Sequence, residues 1–253
     1  PHYFIGNKSI HELYSAGQFE NDVLNWLDSY FKESNIVIMT GGSGMYIDAV
    51  CNGLDELPKN EKIRSIARKF GKEFFDGDRN YGYGGFNYHP KFWQPVVPDF
   101  INYWNLDDSK SLLDVGCAKG FMLYDLKLKI PGLKIQGIDI SKYAIENSKE
   151  DVRKYLSVAN ATNLPFPDNS FDVVISINTI HNLDEENCGK ALKEISRVSK
   201  KNSFITVDAY RNDIEREQMF KWNLTAKTIM SVEKWKEFFK KHNYNGDYYW
   251  FIP

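Results

Sequence analysis

Asp114 stands near the end of the apolar run Ser111–Val115, just ahead of Gly116 and Gly120, and a second acid, Asp139, closes the run 134–138 at 19 residues past Gly120. Glycine lets a backbone approach a ligand where a Cβ would collide, and an acid at the tip of a second strand can accept both ribose hydroxyls of an adenosine. An acid placed before the glycines suits a cationic amino-acid group better than a pyrophosphate. A G-x-x-x-G turn by itself is equally what helix–strand packing produces, so the two acids carry the signal. Past the fourth apolar run, His181 is the first candidate for a general base, although a His there also serves as a packing or helix-entry residue. Asp208, Tyr210 and Arg211 follow the fifth run and are candidates for binding a polar substrate. Tyr83, Tyr88 and His89 are candidates for stacking on it or orienting it. No paired His/Asp cluster at ligand spacing occurs, so no metal is expected.

The elements that must position these residues alternate. A helix is predicted from Val96 to about Asn105, then strand 111–115, helix 121–129 stopped by Pro131-Gly132, strand 134–138, helix 143–155 and strand 156–159. Strand 171–177 follows the turn PFPDNS, then helix 185–200 and strand 203–208; segment 226–230, helix 232–242 and strand 247–252 close the unit. Alternation of this kind predicts an α/β fold, a doubly wound, mostly parallel sheet with ligands beyond the carboxyl ends of its strands.

Upstream, Phe19, Val23, Leu24, Leu27 and Phe31 make one helical stripe with Ser15 as a possible cap. Residues 36–39 read as a short buried strand, and GGSG at Gly41 to Gly44 as a tight turn into a helix from Met45 to Cys51. Residues 59–70 read as a charged helical connector. The Gly- and Tyr-rich stretch after it, Asp76 to Trp93, cannot form one regular element. It reads either as a lid on the substrate side or as an extension packed on the domain. The organisation expected is an α/β fragment over 1–60, a connector and aromatic segment over 61–95, and the main domain over 96–253.

Bulk properties agree with a globular chain: 253 residues, 42% hydrophobic, 26% charged, net charge −2. Residues 1–58 hold two Lys against eight acids, which argues against that segment gripping RNA alone. Cys51, Cys117 and Cys188 are widely spaced and form no C-x-x-C pair, so a cytoplasmic setting is expected. No run of about 18 apolar residues occurs, so no membrane insertion is expected. The chain opens at Pro1, which suggests a trimmed N-terminus or a fragment.

Two resemblances sharpen this. The stretches LLDVGCAKG (Leu112 to Gly120), GIDIS (Gly137 to Ser141), ANATNLPFPDNSFDVVIS (Ala159 to Ser176) and NTIHNL (Asn178 to Leu183) resemble the class I S-adenosylmethionine-dependent methyltransferase family, over about 180 residues. The resemblance implies that Asp114, Gly116, Cys117, Ala118 and Gly120 line the methionine and ribose side of that cofactor. It further implies that Asp139 holds the ribose hydroxyls, Ile140 lies against the adenine, Asn160 and Ala161 meet its edge, and Asn178 sits under the methionine part. Ala118 stands where many members have Gly, and Asn160 where Asp is common. The stretches PHYFIG, YSAGQF and GGSGMYIDAVCNGLDELP, in the first 58 residues, resemble the tRNA dimethylallyltransferase family. That family's phosphate loop, G-x-x-x-x-G-K-[ST], occurs nowhere in the chain, so the segment is expected not to transfer an isoprenoid by itself.

The expected function is methyl transfer from S-adenosylmethionine to a small polar or sugar-like acceptor. The alternatives are a tRNA acceptor, suggested by the company of the first segment, and a cofactor-binding protein without transferase activity.

Overall fold

The computed structural model describes residues 16–38 and 61–252. The chain divides into two compact units, Pro1–Glu56 and Leu57–Pro253. In the first, the helical stripe folds as α1, Ala16–Tyr30, with Val23 buried and the Trp26 and Tyr30 rings stacked at 4.7 Å. The strand expected from residue 36 is not formed: 36–38 have no regular structure, and Ile38 is 85% exposed. A strand draws its hydrogen bonds from a neighbour, and none among the described residues pairs with this segment. Ser15, Met39, the GGSG turn and the helix expected at Met45 to Cys51 lie outside the described residues.

The second unit is built on seven strands: β1 Ser111–Val115, β2 Lys134–Asp139, β3 Leu156–Val158, β4 Phe171–Ile177, β5 Ser199–Tyr210, β6 Met230–Ser231 and β7 Asp247–Phe251. The order is β3-β2-β1-β4-β5, and the far edge of β5 is shared by β7 along its middle and β6 at its end. The ladders between these strands are all parallel. The helices are α2 Glu61–Ala67, α3 Lys72–Asp76, α4 Pro90–Trp93, α5 Val97–Trp104, α6 Phe121–Lys129, α7 Lys142–Glu146, α8 Glu150–Arg153, α9 Glu185–Val198, α10 Asp213–Trp222 and α11 Val232–Lys241.

Side chains alternate across a strand, and this divides the core in two. Leu113, Val115, Val174, Ile205 and Val207 pack with Leu192 and Ile195 of α9 and Trp235 of α11. Leu112, Ile135, Val173 and Ile175 pack on the opposite face with Val97 of α5 and Leu123 and Leu126 of α6. Helices on both faces make the sheet doubly wound, as expected. Each of these buried aliphatic side chains contributes about 1.5–3 kcal/mol, so apolar burial rather than any loop hydrogen bond sets the register. By the same alternation Asp114 shares its face with Leu112, Asp139 with Ile135, and Thr206 and Asp208 with Phe204. The four polar residues therefore gather on the α5–α6 side of the sheet at its carboxyl ends.

Three expectations change. The helix expected over 143–155 is broken into α7 and α8. Ser148 Oγ donates to the Ile145 carbonyl at 2.6 Å, and the Lys149 N–H turns to the Lys119 carbonyl at 3.0 Å, so the helical ladder is interrupted there. Strand β5 runs beyond 203–208 at both ends and shortens the preceding helix to Val198. Helix α10 was not anticipated, although its start is legible: Asn212 Oδ1 accepts from Glu215 N at 2.9 Å, and Glu215 reaches back to Arg211 N at 2.7 Å, a reciprocal cap of N-x-x-E form.

Candidate cofactor site

The loop after β1 is held against β2. Gly116 N and Cys117 N both donate to the Ile138 carbonyl, at 2.7 and 3.0 Å. Gly116, Ala118 and Gly120 all have positive φ, +90°, +49° and +75°. A Cβ at Gly116 would overlap the Thr179 side chain, and one at Gly120 would lie 2.8 Å from Leu156 Cδ1. These two glycines are thus already required by the loop's own packing. Ala118 tolerates the left-handed region at a cost of about 1–2 kcal/mol, so a glycine there would relax backbone rather than make room.

The acids distinguish the site. Asp139 Oδ2 accepts from Ala118 N and Oδ1 from Ser141 N, both at 2.8 Å, which leaves lone pairs on each oxygen for a ligand. Burial nonetheless raises its ionisation above the usual carboxylate range, outweighing those bonds. Asp114 is 4% exposed, and its carboxylate accepts no hydrogen bond from the described residues. Burial, and then the neighbouring Asp139 charge, push it up to about 8. Cys117 between them is held as a thiol by burial and by both carboxylates. No cation among the described residues pairs with either of these two buried acids. The loop's own lysine does not supply it: Lys119 is buried and turned away to Asp76, at 2.6 and 2.8 Å from the two carboxylate oxygens.

Asp76 belongs to the aromatic stretch, and it also accepts from Tyr143 OH at 2.8 Å and from Phe86 N at 2.9 Å. Burial would raise its ionisation, but these partners together hold it below the ordinary value. Phe86 stacks on Phe121 at 5.0 Å, Phe75 on Tyr143 at 6.5 Å, and Ser141 Oγ donates to the Phe70 carbonyl. Tyr88 OH donates to Asp125 at 2.6 Å, on α6. His89 caps α4, its Nδ1 accepting from Lys91 N at 3.2 Å. The stretch therefore packs over the ends of β1 and β2, with Tyr88 and His89 engaged in these local hydrogen bonds.

On the other rim, His181 is buried and its Nδ1 accepts from the Asp208 N–H at 3.0 Å. Its lone pair is in use, and burial lowers its ionisation to about 3. The imidazole is thus neutral and enclosed, and its Nδ1 already accepts a backbone proton. Arg211 is locked to Glu215, with Nη2 at 2.6 Å and Nε at 3.0 Å from Oε1, so it is not a free cation for a substrate. Tyr210 is half-buried beside it. Asp208 differs: it is 4% exposed, its carboxylate accepts no hydrogen bond from the described residues, and burial pushes it up to about 7. His181 Nδ1 lies 3.7 Å from its Oδ1. Asn178 has φ +50°; its N–H donates to Thr206 Oγ1 at 2.8 Å, and that hydroxyl donates back to Asn178 Oδ1 at 2.7 Å. Asn160 Oδ1 accepts from both Thr162 N and Thr162 Oγ1, each at 2.9 Å, so its carbonyl is not free for adenine N6 and only its amide N–H groups remain to donate. Ile140 is exposed and Ala161 half-buried.

The methyltransferase domain family matches residues 113–207. Those residues are a methyltransferase domain. The match runs from β1 into β5 and so contains the glycine loop, Asp114, Asp139 and His181, with Asp208 one residue beyond it. The IPP transferase family matches residues 1–77, past the expected limit of 60 and as far as Asp76, the partner of Lys119. A tRNA dimethylallyltransferase 1 from Phocaeicola vulgatus is 44% identical over 78 residues, 30% of this chain and 26% of that protein. The tRNA dimethylallyltransferase of Flavobacterium psychrophilum is 53% identical over 57 residues, 22% and 19% respectively. The chain thus spans about a fifth to a quarter of the length of these curated relatives. Among solved structures, the YcgJ protein from Bacillus subtilis is similar with a TM-score of 0.49 and 18% identity, covering 59% of this chain and 68% of that one.

In the second unit Asp114, Cys117, Ala118 and Asp139 gather around the loop after β1, whereas Tyr88, His89 and Arg211 are each bonded to other side chains or backbone. Asp76 and Tyr143 were missed in the sequence; the available signal was Lys119, a cation inside a tight buried loop that must find an acid. Removing that acid strands it. Asp76→Ala is expected to cost about 2 kcal/mol, less than the roughly 3–5 kcal/mol of a fully buried pair because Asp76 is partly solvated. Melting should then fall by about 4–8 °C in scanning calorimetry, and an unchanged midpoint would show that the pair does not hold the segment.

Among the described residues no helix is long and apolar enough to cross a membrane, and no group of His, Cys, Asp and Glu is placed to hold a metal ion.

Proposed function

We propose that the second unit transfers the methyl group of S-adenosylmethionine to a small polar acceptor. The observation that supports this most is the pair of buried acids, Asp114 and Asp139, without a cation between them. When bound, the cofactor supplies a cationic sulfur carrying an electrophilic methyl group, together with an ammonium. The chain's residues fit it. Asp139 keeps lone pairs for the ribose hydroxyls, and Asp114 faces the positive charge. Gly116, Cys117, Ala118 and Gly120 line the ribose and methionine side, with Asn178 beneath it. Ile140 covers the adenine, and Ala161 and the amide group of Asn160 meet its edge. On the acceptor side Asp208 takes the role first given to His181, accepting the proton that an O–H or N–H nucleophile loses as its new bond forms. Aligning the nucleophile supplies much of the remaining rate.

A pH dependence follows from Asp114. In the free protein it holds its proton up to about pH 8, whereas a bound cation favours its carboxylate. Binding therefore releases a proton, and affinity should rise by up to about tenfold per pH unit between pH 6 and 8. Calorimetry in buffers of different ionisation enthalpy reads that proton directly. Asp114→Asn should flatten the profile, and a flat wild-type profile would remove Asp114 from the charge balance.

A small acceptor suits the enclosed Asp208 and the absence of a free Arg211 at that rim. One observation favours a tRNA acceptor instead, the IPP transferase match at residues 1–77. Transfer from tritiated S-adenosylmethionine into fractionated cell extract decides between them. Label in small-molecule fractions that survives ribonuclease supports the first reading, and label lost with ribonuclease supports the second. No label in any fraction, with the cofactor still bound, makes the chain a non-catalytic binding protein.

A further inference from the structure

The aromatic stretch ahead of the domain is fixed to the loop after β1 at several points, and one of its hydroxyls makes no hydrogen bond with the described residues. Tyr83 N donates to the Phe74 carbonyl at 2.9 Å, and Gly85 N to the Phe75 carbonyl at 3.1 Å, which folds the Gly-rich turn back on α3. A Cβ at Gly82 would overlap the Phe74 carbonyl, so only glycine permits the turn. The Tyr83 ring lies 4.4 Å from Phe86 and 6.1 Å from Phe75, and Phe75 in turn stacks on Tyr143, four residues past Asp139. These contacts place Tyr83 beside Phe75 and Phe86, one ring away from Tyr143. The residue is 48% exposed, and burial of its hydroxyl and then the Asp139 charge raise its ionisation. The hydroxyl makes no hydrogen bond with the described residues, in contrast to Tyr88 and Tyr143, which are each bonded to an acid.

We infer that the stretch 72–93 is a fixed wall of the cofactor pocket and that Tyr83, rather than facing the acceptor, donates its hydroxyl hydrogen bond to a ribose oxygen held by Asp139. The inference rests on the cofactor reading above. The chemistry is complementary: Asp139 can only accept, so it takes the protons of the ribose hydroxyls, and a neutral phenol supplies the donor that their oxygens still require. Asp76, by neutralising Lys119 and bonding Phe86 N and Tyr143, holds the wall in place.

The test is calorimetric binding of S-adenosylhomocysteine and of its 2′-deoxy and 3′-deoxy analogues to the full chain and to Tyr83→Phe. With the parent ligand, Tyr83→Phe should lose about fivefold, the worth of one neutral hydrogen bond, at an unchanged melting temperature. With one of the deoxy analogues that loss should vanish, a readout that general loosening of the wall does not produce. Tyr103→Phe, at the far side of the domain beside Asp247, should bind as wild type. Equal binding by wild type and Tyr83→Phe overturns the inference, as does a fivefold loss that persists with both analogues. If the wild-type chain binds none of the three ligands, the cofactor reading itself fails.

Discussion

Replacing Asp139 with Ala is expected to weaken S-adenosylhomocysteine binding by about a hundredfold. In the proposed role its carboxylate accepts two charge-assisted hydrogen bonds from a ribose, each worth about 1.5 kcal/mol at the low end of the range, and about 3 kcal/mol in all corresponds to roughly that factor. Two side effects pull in opposite directions. The Ala118 and Ser141 N–H groups lose their acceptor, which loosens the loop. Asp114 loses its like-charged neighbour and ionises more readily, which recovers part of the attraction for a cation. Asp139→Asn separates these effects, because it keeps an acceptor for one N–H while removing the charge, and about tenfold weaker binding is expected. Calorimetry on both variants, with melting temperatures as a control for folding, checks the assignment. Wild-type affinity in both would exclude Asp139 from the site.

Asp208→Asn is expected to lower methyl transfer by about a hundredfold to a thousandfold, the usual worth of a positioned proton acceptor. With the wild-type chain, transfer into the labelled extract fraction should rise with pH and bend near 7, where Asp208 gives up its proton. The variant should be slow at every pH. Stability supplies an independent reading of the same group. The folded chain holds the Asp208 proton to about pH 7, whereas the unfolded chain releases it near 3.8. Between those limits the native state binds the extra proton, so this residue's contribution to stability falls as pH rises. Asn does not titrate. The melting temperature of the variant relative to wild type should therefore climb from pH 4 to pH 8, by about 2–4 °C for each kcal/mol involved. His181→Gln retains an acceptor for the Asp208 N–H and should keep transfer within severalfold of wild type. A wild-type profile without a bend, together with active Asp208→Asn, would return the search for a base to other residues.

Much of the loop after β1 and its flanking elements is legible in the chain because the causes are local. The run 111–115, the turn to Gly120 and the helix from Phe121 to Lys129 fold where periodicity and glycine place them, since alternation, positive φ and capping act over a few residues. The two acids at strand ends follow from the same reading. The break between α7 and α8 and the unformed strand at 36–38 show where local reading stops: a back-bonding Ser148, and the lack of a ladder neighbour among the described residues, each accompany a favourable apolar pattern that did not hold. What the acids and rings do was decided only by tertiary structure. Asp76 meets Lys119 across 43 residues, and Asp208 N–H uses the lone pair of His181 across 27. The wall of rings lies on the β1–β2 side because Phe75 and Phe86 find Tyr143 and Phe121 there. Hydrogen-bond partners and burial set whether a carboxylate or an imidazole is free, paired or neutral, and both come from residues far along the chain. The sequence by itself therefore determined that this protein holds a glycine loop between two acids in a doubly wound sheet. Folding decided that no cation among the described residues meets those acids, that His181 Nδ1 accepts the Asp208 N–H, and that the Asp208 carboxylate is buried without a hydrogen bond from the described residues.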